Sequence, residues 1–505
     1  MKPFRIACAA ILLACAQGVA AQEPAGDMAL PAPVAEAIDG HFLAYQERAH
    51  VPGLVWGVVR DGRLVHVGLS GVQDLETETP VNRDSLFRIA SMSKAFTALA
   101  ILKLRDDGLI SLDALAETYV PELANWQYPT TDSPRIRVRD LLSHVGGLVT
   151  DNPWGDRQQS LSEEAFTEML EEGVPFSRAP QTAFEYSNFG YALLGRIITN
   201  VSGQPYDQYI RNEIMLPLGM DSTGFEVTDA PLAQRALGYR WENEAFSPAA
   251  VQPHGVFGAM GGIQTSMNDY ARWVSFLLSA WPARDGPELG PVRRSSVREL
   301  AHGLNFPRSF TVPRQESDDP CKVPYTYAMG FSVGEDCDFG RMMSHSGGYP
   351  GFGSDLMLLP DSGFAIFAFA NRTYAAPRGA VRSAGLELAA ADLVSGREIP
   401  VTDALASTYA IAGAMFEASS IEPGREMLAM NFLLDRSAEN WALELTSLAE
   451  QSGSCATDGP LTALGALHGE FRWTCERGTM QGRILLSPTN PPAIQGLRLR
   501  VTPTE

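Results

Sequence analysis

The predicted strands of this chain stand on either side of a long, mainly helical stretch. Residues 32–49 carry apolar residues at helical spacing, and two strand-like runs joined by a hairpin turn at Asp61 and Gly62 follow them. Residues 109–300 are mostly helical patches separated by loops with glycine and proline, and strand patterns return over residues 342–370. A helix and a hairpin opening such a mixed chain predict an α+β fold.

The regular pattern weakens over residues 395–408, which include Pro400. We therefore place a boundary there, between a large domain over residues 22–398 and a small α+β domain over residues 399–505. The small domain is predicted to contain a helical stretch over residues 425–450, with strands after it. It contains no recognisable catalytic pattern, and its role is left open.

Residues 1–21 are predicted to be a secretory signal peptide. Lys2 and Arg5 supply the positive start, an apolar run too short to span a bilayer follows, and a small-residue cleavage site ends at Ala21. This pattern predicts a periplasmic or secreted protein. The alternative is a lipoprotein, since Cys15 lies in a lipoprotein-like sequence. Membrane contact is expected only if Cys15 is lipidated.

Charge and composition exclude two classes of protein. The formal net charge is −20, and nucleic-acid binding needs a basic footprint, so no nucleic-acid partner is expected. Hydrophobic residues make up 45% of the chain and charged residues 19%. These values are typical of a globular protein with a sizeable core and exclude a disordered chain.

Four cysteines remain after residues 1–21, and an even number in an exported protein suggests disulfides. Three pairings are possible. We favour the local one because it keeps each bridge within one region, pairing Cys321 with Cys337 and Cys455 with Cys475. Buried free thiols are the alternative. A zinc site is weaker still, because no Cys-x-x-Cys spacing occurs.

Ser91 and Lys94 form a Ser-x-x-Lys element at the start of a predicted helix over residues 91–107. Residues three apart lie on one face of a helix, so the lysine is expected beneath the serine. A lysine there accepts the serine proton if burial or a neighbouring cation lowers its pKa. The element alone is a weak signal, because this spacing also arises by chance.

Tyr186 and Asn188 belong to a second element, Tyr-Ser-Asn. A tyrosine near a serine nucleophile can act as base and acid if cations lie close to its phenol. An asparagine amide can hold both a substrate carbonyl and a lysine ammonium. An ordinary helix-capping turn, with Asn188 as N-cap, is the alternative.

The third element opens a predicted strand and consists of His345, Ser346, Gly347 and Gly348. Glycines allow a substrate backbone to approach a strand edge, and a backbone N–H there can complete an oxyanion hole. A glycine-rich turn is the alternative.

In their order along the chain, these elements resemble those of the serine β-lactamase and penicillin-binding-protein superfamily. Because the second element is Tyr-Ser-Asn, the resemblance is to the class C branch, with its D-Ala-D-Ala carboxypeptidase, D-aminopeptidase and esterase relatives. It covers roughly residues 33–390. It implies an antiparallel sheet flanked by helices and joined to a helical lobe, with the site at their junction.

The resemblance also implies a role for each residue. Ser91 would be the acyl nucleophile, Lys94 its base or proton partner, and Tyr186 the group that shuttles the proton and activates the deacylating water. Asn188 would bind the acyl side chain of the substrate. The backbone N–H groups of Ser91 and Gly348 would form the oxyanion hole. The implied partner is a small-molecule or peptide substrate, with no metal and no cofactor.

The chain departs from class C β-lactamases at His345, where those enzymes have lysine. A lysine offers a β-lactam carboxylate a permanent charge, whereas a histidine is only partly protonated near pH 7. A D-amino-acid-peptide hydrolase or an esterase therefore fits better. A true class C-like β-lactamase and a binding or sensor module without turnover are the alternatives.

Overall fold

The computed structural model describes residues 29–312, 320–394 and 399–502. The predicted signal peptide over residues 1–21, with Cys15, lies outside these residues. The chain divides into two compact units, Met1–Ser395 and Gly396–Glu505, here named unit 1 and unit 2. Each is described separately below.

Sequence signals at the helix ends explain where several helices of unit 1 begin. Ser162, Ser187 and Ser266 each accept a hydrogen bond from a backbone N–H of the first turn, which satisfies a donor that has no partner within the helix. The α-helices in the described part of unit 1 are α1 (Ala32–Arg48), α2 (Lys94–Asp106), α3 (Val138–Leu142), α4 (Asn152–Gly155), α5 (Glu163–Glu172), α6 (Asn188–Ser202), α7 (Tyr206–Ile210), α8 (Gly258–Gly261), α9 (Met267–Leu278), α10 (Arg294–Glu299) and α11 (Arg378–Ala390).

Most strands of unit 1 belong to one antiparallel sheet. The described strands are β1 (Gly53–Arg60), β2 (Arg63–Asp74), β3 (Thr79–Pro80), β4 (Phe87–Arg88), β5 (Tyr239–Glu242), β6 (Ala245–Pro248), β7 (Gln264–Thr265), β8 (Arg308–Val312), β9 (Cys321–Tyr327), β10 (Ser332–Asp336), β11 (Gly340–Tyr349), β12 (Phe352–Leu359) and β13 (Phe364–Ala370). The sheet order over the described residues is β3-β2-β1-β13-β12-β11-β10-β9-β8. The remaining strands form the short pairs β4-β7 and β5-β6.

At the centre of the sheet, a strand from the start of unit 1 pairs with a strand from near its end. Strand β1 pairs with β13 from Leu54 opposite Ala370 to Arg60 opposite Phe364. Residues of both strands alternate between two hydrophobic cores, because successive side chains of a strand point to opposite faces. One core lies against α1 and α11, and the other against the helical lobe that contains α2, α6 and α9. This is the α+β architecture that the sequence predicts.

A disulfide closes the hairpin formed by β9 and β10. Cys321 begins β9, Cys337 follows β10, and their sulfur atoms are bonded. The second disulfide joins Cys455 to Cys475 in unit 2. These are the two local pairs that the sequence analysis favours.

Unit 2 is a small α+β body with its own core. Its described helices and strands are α12 (Asp403–Glu417), α13 (Phe432–Asp435), α14 (Ala438–Ser452), β14 (Leu461–Gly465), β15 (His468–Cys475), β16 (Gly478–Leu486) and β17 (Ile494–Thr502). The strands form one antiparallel sheet in chain order. The inward side chains, such as Phe471 and Trp473, pack with residues of the helices. Across the described residues of both units, no helix has the length and apolar character needed to cross a membrane.

Candidate active site

Ser91 lies on a 3₁₀ turn (Ala90–Ser93) that leads directly into α2. The prediction of a helix from residue 91 is therefore wrong at its start, because α-helical bonding begins at Lys94. Ala90 has a φ of 48°, a conformation that costs a non-glycine residue roughly 1–3 kcal/mol. This strained turn places the hydroxyl of Ser91 at a cavity, with Lys94 fully buried beneath it.

The amino group of Lys94 has three oxygen partners. Its Nζ lies 2.7 Å from Oδ1 of Asn188, 2.8 Å from the carbonyl oxygen of Met260 and 3.1 Å from Oγ of Ser91. The amide and carbonyl oxygens can only accept hydrogen bonds. A neutral amine therefore keeps its two hydrogens on Asn188 and Met260, and its lone pair points at the hydroxyl of Ser91.

Burial makes this neutral form accessible. Desolvation lowers the pKa of Lys94 from its ordinary value to about 7, although the nearby carboxylates of Asp156 and Asp151 act in the opposite direction. A lysine with this pKa can accept a proton near neutral pH.

Tyr186 lies on the other side of the nucleophile. The side chain of Ser91 is close enough to lower the pKa of the Tyr186 phenol in part, and the ring centroid of Tyr186 is 4.9 Å from Nζ of Lys94. Burial raises the pKa of Tyr186 well above its ordinary value. The phenol therefore stays protonated at neutral pH, which suits a proton donor and relay better than a base.

His144 packs against Tyr186 and fixes its surroundings. The two ring centroids are 4.2 Å apart, and Nδ1 of His144 accepts a hydrogen bond from the backbone N–H of Ser187. Burial lowers the pKa of His144 well below its ordinary value, so the ring is neutral. His144 thus supports the second element structurally.

Asn188 is the first residue of α6 and is fully buried. The backbone N–H groups of Asn188 and Phe189 donate to the carboxylate of Asp151, while the N-cap is Ser187 rather than Asn188. Nδ2 of Asn188 donates to Oδ1 of Asn152 at 3.0 Å. Both ends of the Asn188 amide are therefore occupied inside the protein, and Asn152 is the amide that lines the cavity.

The third element forms the open edge of β11. Pairing between β10 and β11 ends at Ser332 opposite Ser344. The next four residues, His345 to Gly348, line the cavity. A Cβ atom at Gly347 would lie 2.3 Å from the carbonyl oxygen of Ile89 and 2.2 Å from Oγ of Ser354. Only glycine lets this strand approach the turn that carries the nucleophile.

His345 is a neutral hydrogen-bond acceptor. Its Nδ1 lies 2.7 Å from the carbonyl oxygen of Ser346, so the ring proton is on Nδ1. Its Nε2 therefore accepts from the hydroxyl of Tyr327 at 3.0 Å. Burial lowers the pKa of His345 to about 3. We therefore expect the half-buried ring to be neutral near pH 7, rather than partly protonated as the sequence analysis assumes.

The cavity has a volume of about 1100 Å³, and the residues predicted from the sequence surround it. Ser91, Tyr186 and the third element line its wall, whereas Lys94 and Asn188 lie behind that wall. Asn152, Tyr327 and Arg378 are among the further lining residues that sequence reasoning missed. None belongs to a short motif, so only the fold brings them to the site.

The chain is similar to curated proteins over about two thirds of its own length. Protein flp of Staphylococcus aureus (strain NCTC 8325 / PS 47) is 28% identical over 334 residues, which cover 64% of this chain and 60% of that protein. Unguisins hydrolase ungD' of Aspergillus campestris (strain IBT 28561) is 27% identical over 341 residues, with 65% and 60% covered. The chain thus spans about three fifths of the length of these relatives.

A solved structure shares the fold. The D-alanine carboxypeptidase AmpC from Burkholderia cenocepacia superimposes with a TM-score of 0.56 at 19% identity, covering 71% of this chain and 99% of that chain. The Beta-lactamase family model matches residues 3–391, which include the nucleophile turn, the second element and the β11 edge. The chain therefore belongs to the Beta-lactamase family.

Proposed function

We propose that this protein is an exported serine hydrolase that forms an acyl-enzyme on Ser91. The observation that carries the proposal is the position of Lys94, whose Nζ lies 3.1 Å from Oγ of Ser91 while its other two oxygen partners, on Asn188 and Met260, can only accept hydrogen bonds. Family membership supports a hydrolytic reaction. The two disulfides fit an oxidising compartment and thus export.

Acylation moves one proton and exchanges one bond. Lys94 takes the hydroxyl proton of Ser91 while Oγ attacks the substrate carbonyl carbon, and the backbone N–H groups of Ser91 and Gly348 hold the resulting oxyanion. The tetrahedral intermediate collapses, the bond to the leaving group breaks, and Tyr186 passes it the proton taken up by Lys94. Water then attacks the acyl carbon and gives a proton to Tyr186, which passes a proton on to Lys94. Lys94 returns this proton to Oγ of Ser91 as the acyl bond breaks and the acid is released.

The favoured substrate is an amide or ester, with a D-amino-acid peptide as the leading class. One similar solved structure is a D-alanine carboxypeptidase, and one relative is a hydrolase of unguisins. The neutral ring of His345 gives a β-lactam carboxylate no permanent charge at the third element. Peptidase or esterase turnover is therefore expected to exceed turnover of a penicillin.

A true β-lactamase is the second candidate, and one observation favours it. Arg378 is exposed at the cavity wall, and its Nε donates to Oγ of Ser346 at 3.0 Å. This guanidinium is a permanent cation next to the third element. It can take the place of the lysine that class C enzymes have at position 345.

The test measures turnover of p-nitrophenyl acetate, a fluorescent penicillin and a D-Ala-D-Ala peptide, together with the intact mass of the protein. Ser91→Ala is expected to abolish all turnover, and Ser160→Ala, at an exposed serine of the same unit, is the matched control. Fastest turnover of the penicillin would select the β-lactamase. A stable adduct on Ser91 without turnover would select the sensor module, and turnover that survives in Ser91→Ala would overturn the mechanism.

A further inference from the structure

The outward face of the unit 2 sheet carries four exposed arginines, which are Arg472, Arg483, Arg498 and Arg500. Residues 396–505 contain eight arginines, no lysine and thirteen acidic residues. Half of the cationic side chains of an acidic unit therefore lie on a single sheet face. We name this surface the arginine face.

Strand register brings these charges close together. Arg483 of β16 lies directly opposite Arg498 of β17, and Gln481 lies between Arg472 and Arg500 in the neighbouring row. Side chains directly opposite one another begin about 5 Å apart, and like charges there are destabilising. Fold stability alone thus gives no reason for this arrangement.

Acidic partners on the sheet compensate little of this charge. Arg483 contacts Nε2 of His468 at 2.5 Å and Oε1 of Glu470 at 3.8 Å. Within the described residues, no ion pair is made by Arg472, Arg498 or Arg500. Their guanidinium groups can therefore each take a planar anion in a two-pronged hydrogen bond.

The other side chains of this surface indicate the kind of anion. The arginines line a groove of about 1500 Å³ together with Thr462, Gln481 and Gln495, whose hydroxyl and amide groups suit a polymer rich in hydroxyls. The groove is also lined by Asp435, Glu444 and Glu470, of which Glu444 pairs with Arg436 and Glu470 lies near Arg483. Phe432 and Trp441 also line it but are only 3% and 8% exposed. A single-stranded nucleic acid needs exposed aromatic rings for stacking, and a membrane surface needs an apolar face, so both fit poorly.

We propose that the arginine face binds an acidic glycan, through carboxylates held by the arginines and hydroxyls held by the amide and hydroxyl side chains. The face supplies positive charge in a chain of net charge −20, so it is the surface of unit 2 that attracts a carboxylated polymer. This binding is independent of the chemistry proposed for unit 1.

The test is calorimetric titration of the full-length protein with polygalacturonate, neutral dextran and inorganic polyphosphate, at low and at high salt. Polygalacturonate is expected to bind, dextran is not, and high salt weakens the binding. Arg498→Gln/Arg500→Gln is expected to weaken it about tenfold, because two charge-assisted contacts are lost. The matched control is Arg425→Gln/Arg477→Gln, which removes two exposed arginines elsewhere in unit 2 and leaves binding unchanged.

Three results would overturn the proposal. They are no binding of polygalacturonate at low salt, equal weakening by both double variants, and tighter binding of polyphosphate than of polygalacturonate. Self-association that is lost in Arg498→Gln/Arg500→Gln would assign the face to a second copy of the chain instead.

Thermal stability of that variant should not fall, since Arg498 opposes another cation. Ester turnover should match the wild type, which keeps this test separate from the proposed hydrolase.

Discussion

At the scale of single residues, desolvation and hydrogen bonding both act on Nζ of Lys94. Burial destabilises the charged form of Lys94, while Asn188 and Met260 accept hydrogen bonds from Lys94 in either of its protonation states. The lysine is therefore held in one orientation and loses its third proton easily. This combination distinguishes Lys94 from a half-buried lysine such as Lys103, which pairs with Asp107 at 3.2 Å.

Replacing Lys94 with methionine is expected to lower kcat/KM for p-nitrophenyl acetate by about a thousandfold, because the general base is removed. Methionine keeps the length and fills the buried site without a charge. Lys103→Met, on the same helix, is the matched control and should retain nearly full activity. Comparable losses in both variants would contradict the assignment of the base.

The pH dependence of kcat/KM is expected to follow Lys94. Since the base must be neutral and its pKa is about 7, the rate should fall tenfold per pH unit below that value and level off above it. Tyr186, with its raised pKa, should add no loss up to about pH 9. Burial lowers the pKa of His345 to about 3, so His345 should not contribute. A profile that is flat between pH 5 and pH 7 would rule out Lys94 as the base.

At the scale of helices and strands, the packing of loops against α2 sets the position of the nucleophile. Gly330, in the turn between β9 and β10, has a φ of 77°, and a Cβ there would lie 2.6 Å from Cα of Ala95. The same hairpin carries Tyr327, which holds His345. One turn thus fixes both the helix that bears Lys94 and the partner of the third element.

Gly330→Ala is expected to lower the free energy of unfolding by about 3 kcal/mol, because backbone strain and overpacking add. It should also lower kcat, since the start of α2 must shift. Gly108→Ala is the matched control: its φ is 75°, but no atom lies within 4 Å of the added Cβ. There we expect a loss of only about 1 kcal/mol, measured by urea unfolding, and unchanged kcat. Equal losses would show that strain alone governs both sites.

Local sequence signals account for what could be predicted of the site and the fold. Ser91 and Lys94 lie within one helical turn, so their contact follows from spacing alone. Tyr327 and Asn152 reach the site through long-range packing, which leaves no local trace. In unit 2 the sequence pattern does not predict α12, whose N-cap Thr402 lies just after Pro400 at the predicted domain boundary.

Two units with separate cores give the molecule two places where stability can be lost. Each unit also contains one disulfide. All residues assigned to the hydrolytic reaction belong to unit 1. Loss of stability in unit 2 should therefore leave the chemistry intact.

Cys455→Ala/Cys475→Ala is expected to destabilise unit 2 by about 3 kcal/mol, because the bridge closes a short loop in the unfolded chain. Calorimetry of the full-length protein should show the transition of unit 2 at a lower temperature, while turnover of p-nitrophenyl acetate is unchanged. Cys321→Ala/Cys337→Ala should instead shift the transition of unit 1. Loss of ester turnover in the first variant would show that the chemistry depends on unit 2.

The pairing of β1 with β13 has a consequence for the order of events during synthesis. Translation delivers the N-terminal strand long before its partner, and contacts so distant in sequence form slowly. Strand β12, which supports the β11 edge, can be joined to β1 only through β13. We therefore expect Ser91 to gain hydrolytic competence only when β13, which ends at Ala370, has joined β1 to β12.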